Sequence, residues 1–528
     1  MPRQGPVQRA LWAIFLAYFT YSLIISTLTV ALPRIAADLD GMRLFSWALA
    51  LPGLASALST LLFGKLSDLY GRRPLLLLSL AVYLLGVVLA AVSGTFEFLI
   101  FGLSVVGFGQ GAMAPLCFAV LGDLFRPVER SRWVGLLNLP GGFVALVGPA
   151  LCGWLVDHYS WRVFFVGLIP FILASLLGVA FGLPRVHRRS GKPIDVRGSI
   201  LLTAAMTTTL VGLSSAGTAY AWLSVQVLGW MAASVLLWGA FLRREARAPE
   251  PILDPKVLLN RTFLTASLSA FTSFFGLLAV TAYLPLFLQG VQGEGAVVSG
   301  QVITPYSVLV AFMGVPAGLL LSRTRRYRWM YILGYGVLTI ALFGLAAFHR
   351  GTSLAWAFTV STVAGLGLGA IPTLNTLIVQ YALPRRLLGA ATGGIFFFVM
   401  LGRAVAPALL GAIMNTAYAR ALAAFLPDAA ARSFDAATLA SISDPRALLS
   451  NLAMDHLRTA VASAMGQDPT AYLGVLEAIR ASLEAALRQV FLAGAITMLA
   501  SFLLVLTIPE LSLESEAPDG SYGVGSPT

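Results

Sequence analysis

Apolar residues along this 528-residue chain gather into long runs rather than the alternating or one-sided patterns of a water-soluble fold. Fourteen runs can be drawn, at roughly 10–32, 45–63, 74–93, 98–122, 133–156, 161–183, 198–217, 221–242, 263–289, 297–321, 329–348, 353–381, 388–418 and 487–509. A bilayer core takes about 20 apolar residues per helix. Each run therefore predicts a transmembrane helix. One long polar stretch, 420–486, interrupts the series. Within it Leu449, Leu452, Leu457 and Val461, then Leu473, Val475, Leu476 and Ile479, recur at helical spacing and predict amphipathic helices. The acidic, Gly/Ser-containing tail after Glu510 reads as disordered.

Composition agrees with lipid as the main solvent. The chain is 58% hydrophobic and 11% charged, against about 25% charged for soluble domains. Its net charge of +12 does not point to nucleic acid, because membrane proteins concentrate Lys and Arg in their cytoplasmic loops. With the amino terminus inside, twenty-four of the 35 basic residues fall on the inner segments and ten on the outer ones. That split predicts an even number of spans with both termini cytoplasmic. The first run is too long for the apolar part of a cleavable leader. Cys117 and Cys152 lie inside apolar runs and imply no disulfide framework.

An internal repeat organises the series. Gly107-x-Gly109-x-Gly111-Ala112 in run 4 returns as Gly365-x-Gly367-x-Gly369-Ala370 in run 12, an offset of 258 residues. The loop Gly64 to Pro74 after run 2 has a degraded counterpart at Gly318 to Arg328, an offset of 254. Near-equal offsets predict an all-α polytopic fold: two six-helix bundles in parallel repeat, with an inserted helix pair. The expected divisions are a first bundle at 1–183, a two-helix linker at 184–260, and five helices of the second bundle at 261–419. An outer helical segment at 420–486, the last span at 487–510 and a cytoplasmic tail at 511–528 complete them. Small residues two and four apart mainly let helices approach closely, and no strand precedes these rows as a phosphate cradle would need.

The loop Gly64-Lys-Leu-Ser-Asp68-Leu-Tyr-Gly71-Arg72-Arg73-Pro74 resembles the signature between helices 2 and 3 of the major facilitator superfamily. Gly148-Pro149-Ala-Leu-Cys-Gly153 is similar to the helix 5 motif of that family's antiporters. Ala31-Leu32-Pro33 ending run 1, and Asp123-Leu-Phe-Arg126-Pro-Val-Glu129-Arg130 closing run 4, narrow the likeness further. Together with fourteen runs they resemble the fourteen-spanner drug:proton antiporters of the EmrB/QacA type. The resemblance implies a multi-pass protein of a bacterial inner membrane, surrounded by membrane lipids and working as a monomer. It implies a lipophilic small-molecule substrate, exchange for protons, and neither cofactor nor metal. It also implies a gate latch formed by Gly64, Asp68, Gly71, Arg72, Arg73 and Arg130. A carboxylate and a guanidinium across a short loop can lock neighbouring helix ends.

The sequence departs from that family where the coupling acid is expected: Ile24 stands at the helix 1 position of an Asp, and Leu103 at that of a helix 4 Arg. None of the 23 acids falls at mid-membrane, although proton coupling normally uses an embedded titratable group. Either an interfacial carboxylate, with Glu97, Asp123 and Asp157 as candidates, carries the proton, or export is not coupled in the usual way. Arg403 lies near the middle of run 13, where a charge costs about 2.5–3.5 kcal/mol. It should face the bundle interior, bonded to helix carbonyls or to an anionic part of the substrate. The candidate substrate cavity is Tyr21, Ser26, Asn138, Phe271, Phe275, Asn375 and Arg403. The leading reading is an exporter of lipophilic, drug-like compounds by alternating access. A dedicated lipid or metabolite exporter of the same fold is the alternative. A membrane-embedded transferase is more distant, since no cluster of His, Asp or Glu or metal-ligand spacing marks one membrane face.

Overall fold

The computed structural model describes residues 4–510 apart from 40–43, 126, 185–194, 217–219, 249–250, 252–254, 385–386, 428–433, 435–437, 440–441, 444–456, 460 and 464–468. Every regular element among the described residues is helical; one isolated bridge joins Ala216 and Tyr220. Six long helices come first: α1 (Gln4–Asp38), α2 (Phe45–Tyr70), α3 (Arg72–Ala91), α4 (Phe96–Leu124), α5 (Pro127–His158) and α6 (Trp161–Gly182). The pair α7 (Val196–Ser215) and α8 (Val225–Glu245) follows, then the single turn α9 (Pro255–Leu258). Next, α10 (Arg261–Leu278) continues through two π-helical turns that flank α11 (Leu284–Leu286). The rest are α12 (Ala296–Phe312), α13 (Gly314–Thr324), α14 (Arg328–Ala346), α15 (Leu354–Gly369), α16 (Ile371–Ala382), α17 (Leu388–Phe425) and α18 (Pro469–Leu506).

Each of the fourteen apolar runs falls on helix, but fewer helices qualify as spans by length and composition. Among the described residues ten do, or eleven when α12 and α13, bent by 42° at Met313, count as one. The remainder are α2, α5 and α7, whose apolar part is the shorter Arg197–Leu213. The first two run along a seam inside the protein and carry polar residues there: Ser56, Ser59, Thr60 and Ser67 in α2, and Arg130 and Ser131 in α5, all buried. Helix packed on helix does not need the uniform apolarity that lipid contact requires. The last helix corrects the expected boundary at 487. It begins at Pro469, so Leu473, Val475, Leu476 and Ile479 are its opening turns rather than a separate outer helix. At 1.5 Å per residue α18 is about 57 Å long, well beyond a bilayer core. Leu449, Leu452 and the tail after Glu510 lie outside the described residues.

Packing sorts the helices into two groups. In the first, α1 lies on α5 and α6, and α4 on α2 and α3. In the second, α10 and α14 lie on α18, α15 on α12 and α14, and α17 on α10 and α18. The groups meet where α2 crosses α17 and where α5 crosses α12 and α13. The hairpin α7–α8 covers one of these crossings: Leu202, Met206 and Leu210 of α7 pack with Leu54, Leu58 and Leu61 of α2 and Phe397 of α17.

The glycine rows fix the spacing within each group, and they do so the same way twice. A Cβ at Gly107 or Gly111 would run into the backbone of Pro52 or Ser56 in α2, and one at Gly109 into Tyr83 in α3. A Cβ at Gly365 or Gly369 would run into Tyr306 or Leu309 in α12, and one at Gly367 into Leu338 in α14. The repeat seen in the sequence is thus a repeat of contacts. Gly109→Val should cost about 1–3 kcal/mol, as overpacking does. Gly53→Ala, with open space around its Cβ, should be neutral or stabilising; thermal unfolding in detergent tests both.

The α7–α8 hairpin has its own tie. Asp195 caps α7 by accepting from the Gly198 N–H at 3.0 Å, and it takes two branches of the Arg244 guanidinium at 3.0 and 3.1 Å. Burial works against its charge, but those hydrogen bonds outweigh it and hold the carboxyl below its ordinary value. A lowered folded value means that the stabilisation is complete above about pH 3.9 and fades as acid titrates the carboxylate. The stability difference between wild type and Asp195→Asn should therefore be constant from about pH 8 to 5 and shrink below about pH 4. A difference that stays flat down to pH 3 would show the pair contributes nothing.

Candidate functional site

At the end of α2 the chain reverses through Gly71, whose φ of 95° favours glycine. The turn brings Arg72, the first residue of α3, back onto Asp68. Arg72 Nη1 lies 2.6 Å from Asp68 Oδ1, Ser67 Oγ accepts a further bond from it, and its Nε donates to Asp123 Oδ2 at 3.1 Å. Asp123 belongs to the last turn of α4, so one guanidinium ties three helix ends together. Asp68 also looks the other way. Its Oδ1 accepts from the Gly389 N–H at 3.0 Å and its Oδ2 from the Ala390 N–H at 2.7 Å. These are orphan donors at the first turn of α17, in the second group, where the helix presents partial positive charge. Asp68 and Arg72 have side chains only 7% exposed, so removing one leaves the other buried with part of its charge unanswered, Arg72 keeping only Asp123 and Asp68 only the two N–H groups, at several kcal/mol.

This approach depends on missing side chains. A Cβ at Gly64 would lie 2.9 Å from the Gly389 carbonyl oxygen and 3.1 Å from the Gly393 Cα. A Cβ on Gly389 would meet the Asp68 carboxylate itself. The other expected members have different tasks. Arg73 donates to the Ala180 carbonyl of α6, within its own group. Arg130, buried, donates to the Gly122 carbonyl at 2.7 Å, closing the end of α4, and lies over the Tyr381 ring of α16 at 5.9 Å.

A second crossing mirrors the first. Gly318 of α13 sits against the Ser131 carbonyl and Gly135 of α5. Residues 64 and 318 are related by the 254 offset, and 131 and 135 match 389 and 393 at the 258 offset. The counterpart of Asp68, however, is Ser322, whose Oγ donates to the Leu319 carbonyl of its own helix. The first crossing carries a carboxylate; at the second the described approach is a glycine on each helix.

Deeper along the seam the groups touch through polar and aromatic side chains. Asn138 donates to Thr373 Oγ1 of α16 at 3.1 Å and accepts from Tyr18 Oη at 3.4 Å. Phe118 of α4 packs on Phe396 of α17, ring centroids 5.5 Å apart, and on Tyr18. Gln380 Nε2 donates to the Phe118 carbonyl at 3.2 Å. Gly142 approaches the Ala311 carbonyl. Past this layer Arg403 is exposed on α17.

The remaining candidates scatter. Tyr21 packs on Tyr18 with ring centroids 5.4 Å apart. Asn375 does not face the seam: it is buried and bonded to Tyr331 of α14, which corrects its assignment to a cavity. Phe275 is likewise buried, beside Phe271, whose carbonyl lies against Gly402. Gly148 faces the Thr27 side chain of α1, and Gly153 is half-buried. The side chains of Ser26, Pro149 and Asp157 lie outside the described residues. Glu97 is exposed in the first turn of α4, remote from the latch. Sequence reasoning missed Gly389, Gly393, Thr373 and Gln380.

Comparison with known proteins places this geometry. The family model described as Major Facilitator Superfamily matches residues 14–407. The chain is 29% identical over 403 residues to the multidrug transporter protein MdtP of Bacillus subtilis, covering 76% of this chain and 74% of that one. It is 30% identical over 416 residues to an uncharacterized MFS-type transporter of Mycobacterium tuberculosis, covering 78% of this chain and 60% of that one. The solved structure of the human organic anion transporter MFSD10 superposes with a TM-score of 0.60 at 16% identity, over 95% of this chain and all of that one.

If Asp68 holds this end shut, Asp68→Ala should expose the seam. A reporter cysteine at a fully buried seam position (Thr392→Cys), in a background with Cys117 and Cys152 replaced by Ala, should react at least about tenfold faster with a thiol reagent, as a loss of several kcal/mol of closure allows. Unchanged labelling would remove the latch from the account.

Proposed function

This chain belongs to the Major Facilitator Superfamily, and on that premise we propose that it exports lipophilic, drug-like compounds across a bacterial inner membrane by alternating access, in exchange for protons. In this reading fourteen helices cross the bilayer, both termini are cytoplasmic, and the latch lies at the cytoplasmic face. The chain is then one of the fourteen-spanner drug:proton antiporters, working as a monomer with both groups and the seam from one polypeptide.

The observation that carries the reading is the network of Asp123, Arg72 and Asp68 closing on the α17 N–H groups. Among the described residues it joins the two groups through charge at one end, over contacts of glycine that can part without tearing interlocked side chains. Alternating access needs such a removable closure. The similarity to proteins named as multidrug transporters supports the substrate class.

The same network supplies the proton site that the spans lack. Of the three candidate carboxylates, Glu97 stands apart from the seam, and Asp123 is bound to the latch arginine. A proton on Asp123 removes one of the two countercharges of Arg72, and so alters the hold of Arg72 on Asp68. Protonation and closure are then one equilibrium.

Efflux of a lipophilic dye from loaded proteoliposomes should rise several-fold under an imposed pH gradient. Asp123→Asn should abolish that stimulation while retaining dye exchange. Efflux by the wild type that is indifferent to the gradient would remove proton antiport; no efflux of any lipophilic compound would remove the exporter reading.

A further inference from the structure

Most buried or seam arginines of this protein have their charge answered. Arg72 has two carboxylates, and Arg130 the carbonyls that end α4. Arg403 differs. Among the described residues it makes neither an ion pair nor a hydrogen bond, and no helix carbonyl takes its donors. Yet it lies midway along an apolar helix, where a charge costs about 2.5–3.5 kcal/mol.

Its direction follows from the helix. Residue 403 is two helical turns beyond Phe396, on the face of α17 that begins with Gly389 and Gly393 and meets the first group. The side chain is nonetheless exposed. It therefore projects into the open part of the seam, above the floor made by Phe118, Phe396 and Tyr18.

We infer that this part of the seam is an anion-binding site anchored by Arg403, and that the exported compounds include lipophilic organic anions: an aromatic or aliphatic body bearing one carboxylate or sulfonate. A guanidinium offers a planar fork of donors that matches such groups two bonds at a time. The floor supplies aromatic area for the apolar body, in the usual division between a few polar anchors and apolar walls. With no carboxylate opposite it among the described residues, the anion completes the site rather than displacing a partner. The inference rests on the exporter reading and narrows it.

The test uses the full chain in detergent, titrated with dansyl-phenylalanine and with its uncharged methyl ester. The wild type should bind the acid at least about tenfold more tightly than the ester, the effect of one charge-assisted contact. Arg403→Gln should lose that advantage and keep its affinity for the ester, and Arg403→Lys should regain part of it. Equal weakening of acid and ester by Arg403→Gln, or no preference in the wild type, would overturn the site. Displacement of the acid by short-chain phosphatidylglycerol at lower concentration than by unlabelled carboxylic acids would overturn the organic-anion assignment in favour of a lipid headgroup. Thermal unfolding of each variant guards against misfolding. Proteoliposome efflux of an uncharged dye by the wild type separates the two readings: transport then stands whichever way the anion test falls.

Discussion

The Asp68 carboxylate rests on two free N–H groups in the first turn of α17 while its other face holds Arg72, and much of the closed end is arranged to make that position reachable. A carboxylate at a helix N-terminus answers both the unpaired donors and the partial charge there. Reaching it requires two helices from different groups to cross almost backbone to backbone. That is why Gly64, Gly389 and Gly393 sit where they do, and why Gly71 turns the chain so sharply behind them. The charge alone would give no closure, because longer side chains at these positions would hold the helices apart. The glycines alone would give a contact without a switch.

The sequence made part of this legible. Apolar runs located every long helix, since lipid demands an apolar stretch whatever the neighbours are. Asp68 and Arg72 could be paired because both partners are side chains at a readable spacing. Their third partner could not: Gly389 and Ala390 contribute backbone N–H groups, which every residue has, so nothing in the sequence marks them. Asn375 erred the other way. Its amide suggested a wet cavity, but Tyr331 satisfies it inside the second group, and only the fold reveals that neighbour. The start of α18 was missed because Pro469 to Ala486 reads as amphipathic, while in the fold its inner face is covered, with Val475, Ile479 and Leu483 buried.

Repetition explains the architecture, and the break in repetition explains its bias. Both groups use a glycine row on one helix to pull in two neighbours, and both present a glycine crossing to the other. Two equivalent crossings would open and close alike if their chemistry matched. It does not, because Ser322 stands where Asp68 would recur. The α2–α17 crossing also carries the α7–α8 hairpin across its side, through Leu202, Met206 and Leu210. The sealed, charged crossing is thus suited to decide whether the end is shut, and the bare glycine crossing to follow it.

Charge placement then constrains the chemistry of transport. An acid buried at mid-span would give the seam a titratable group and also a built-in partner for Arg403. The chain has Ile24 where such an acid was expected, and Arg403 is left without a carboxylate among the described residues. A free guanidinium and an embedded carboxylate are opposite solutions to substrate charge: the second selects cations and the first anions. If export is exchanged for protons as proposed, the coupling group must then lie elsewhere, and among the described residues the acids joined to the meeting of the two groups are Asp68 and Asp123. Separating the two has a physical advantage. An anion bound beside its own coupling acid would raise that acid's pKa and alter its occupancy with every substrate, a conflict that placing the acids at the α2–α17 crossing and the guanidinium deeper along the seam avoids.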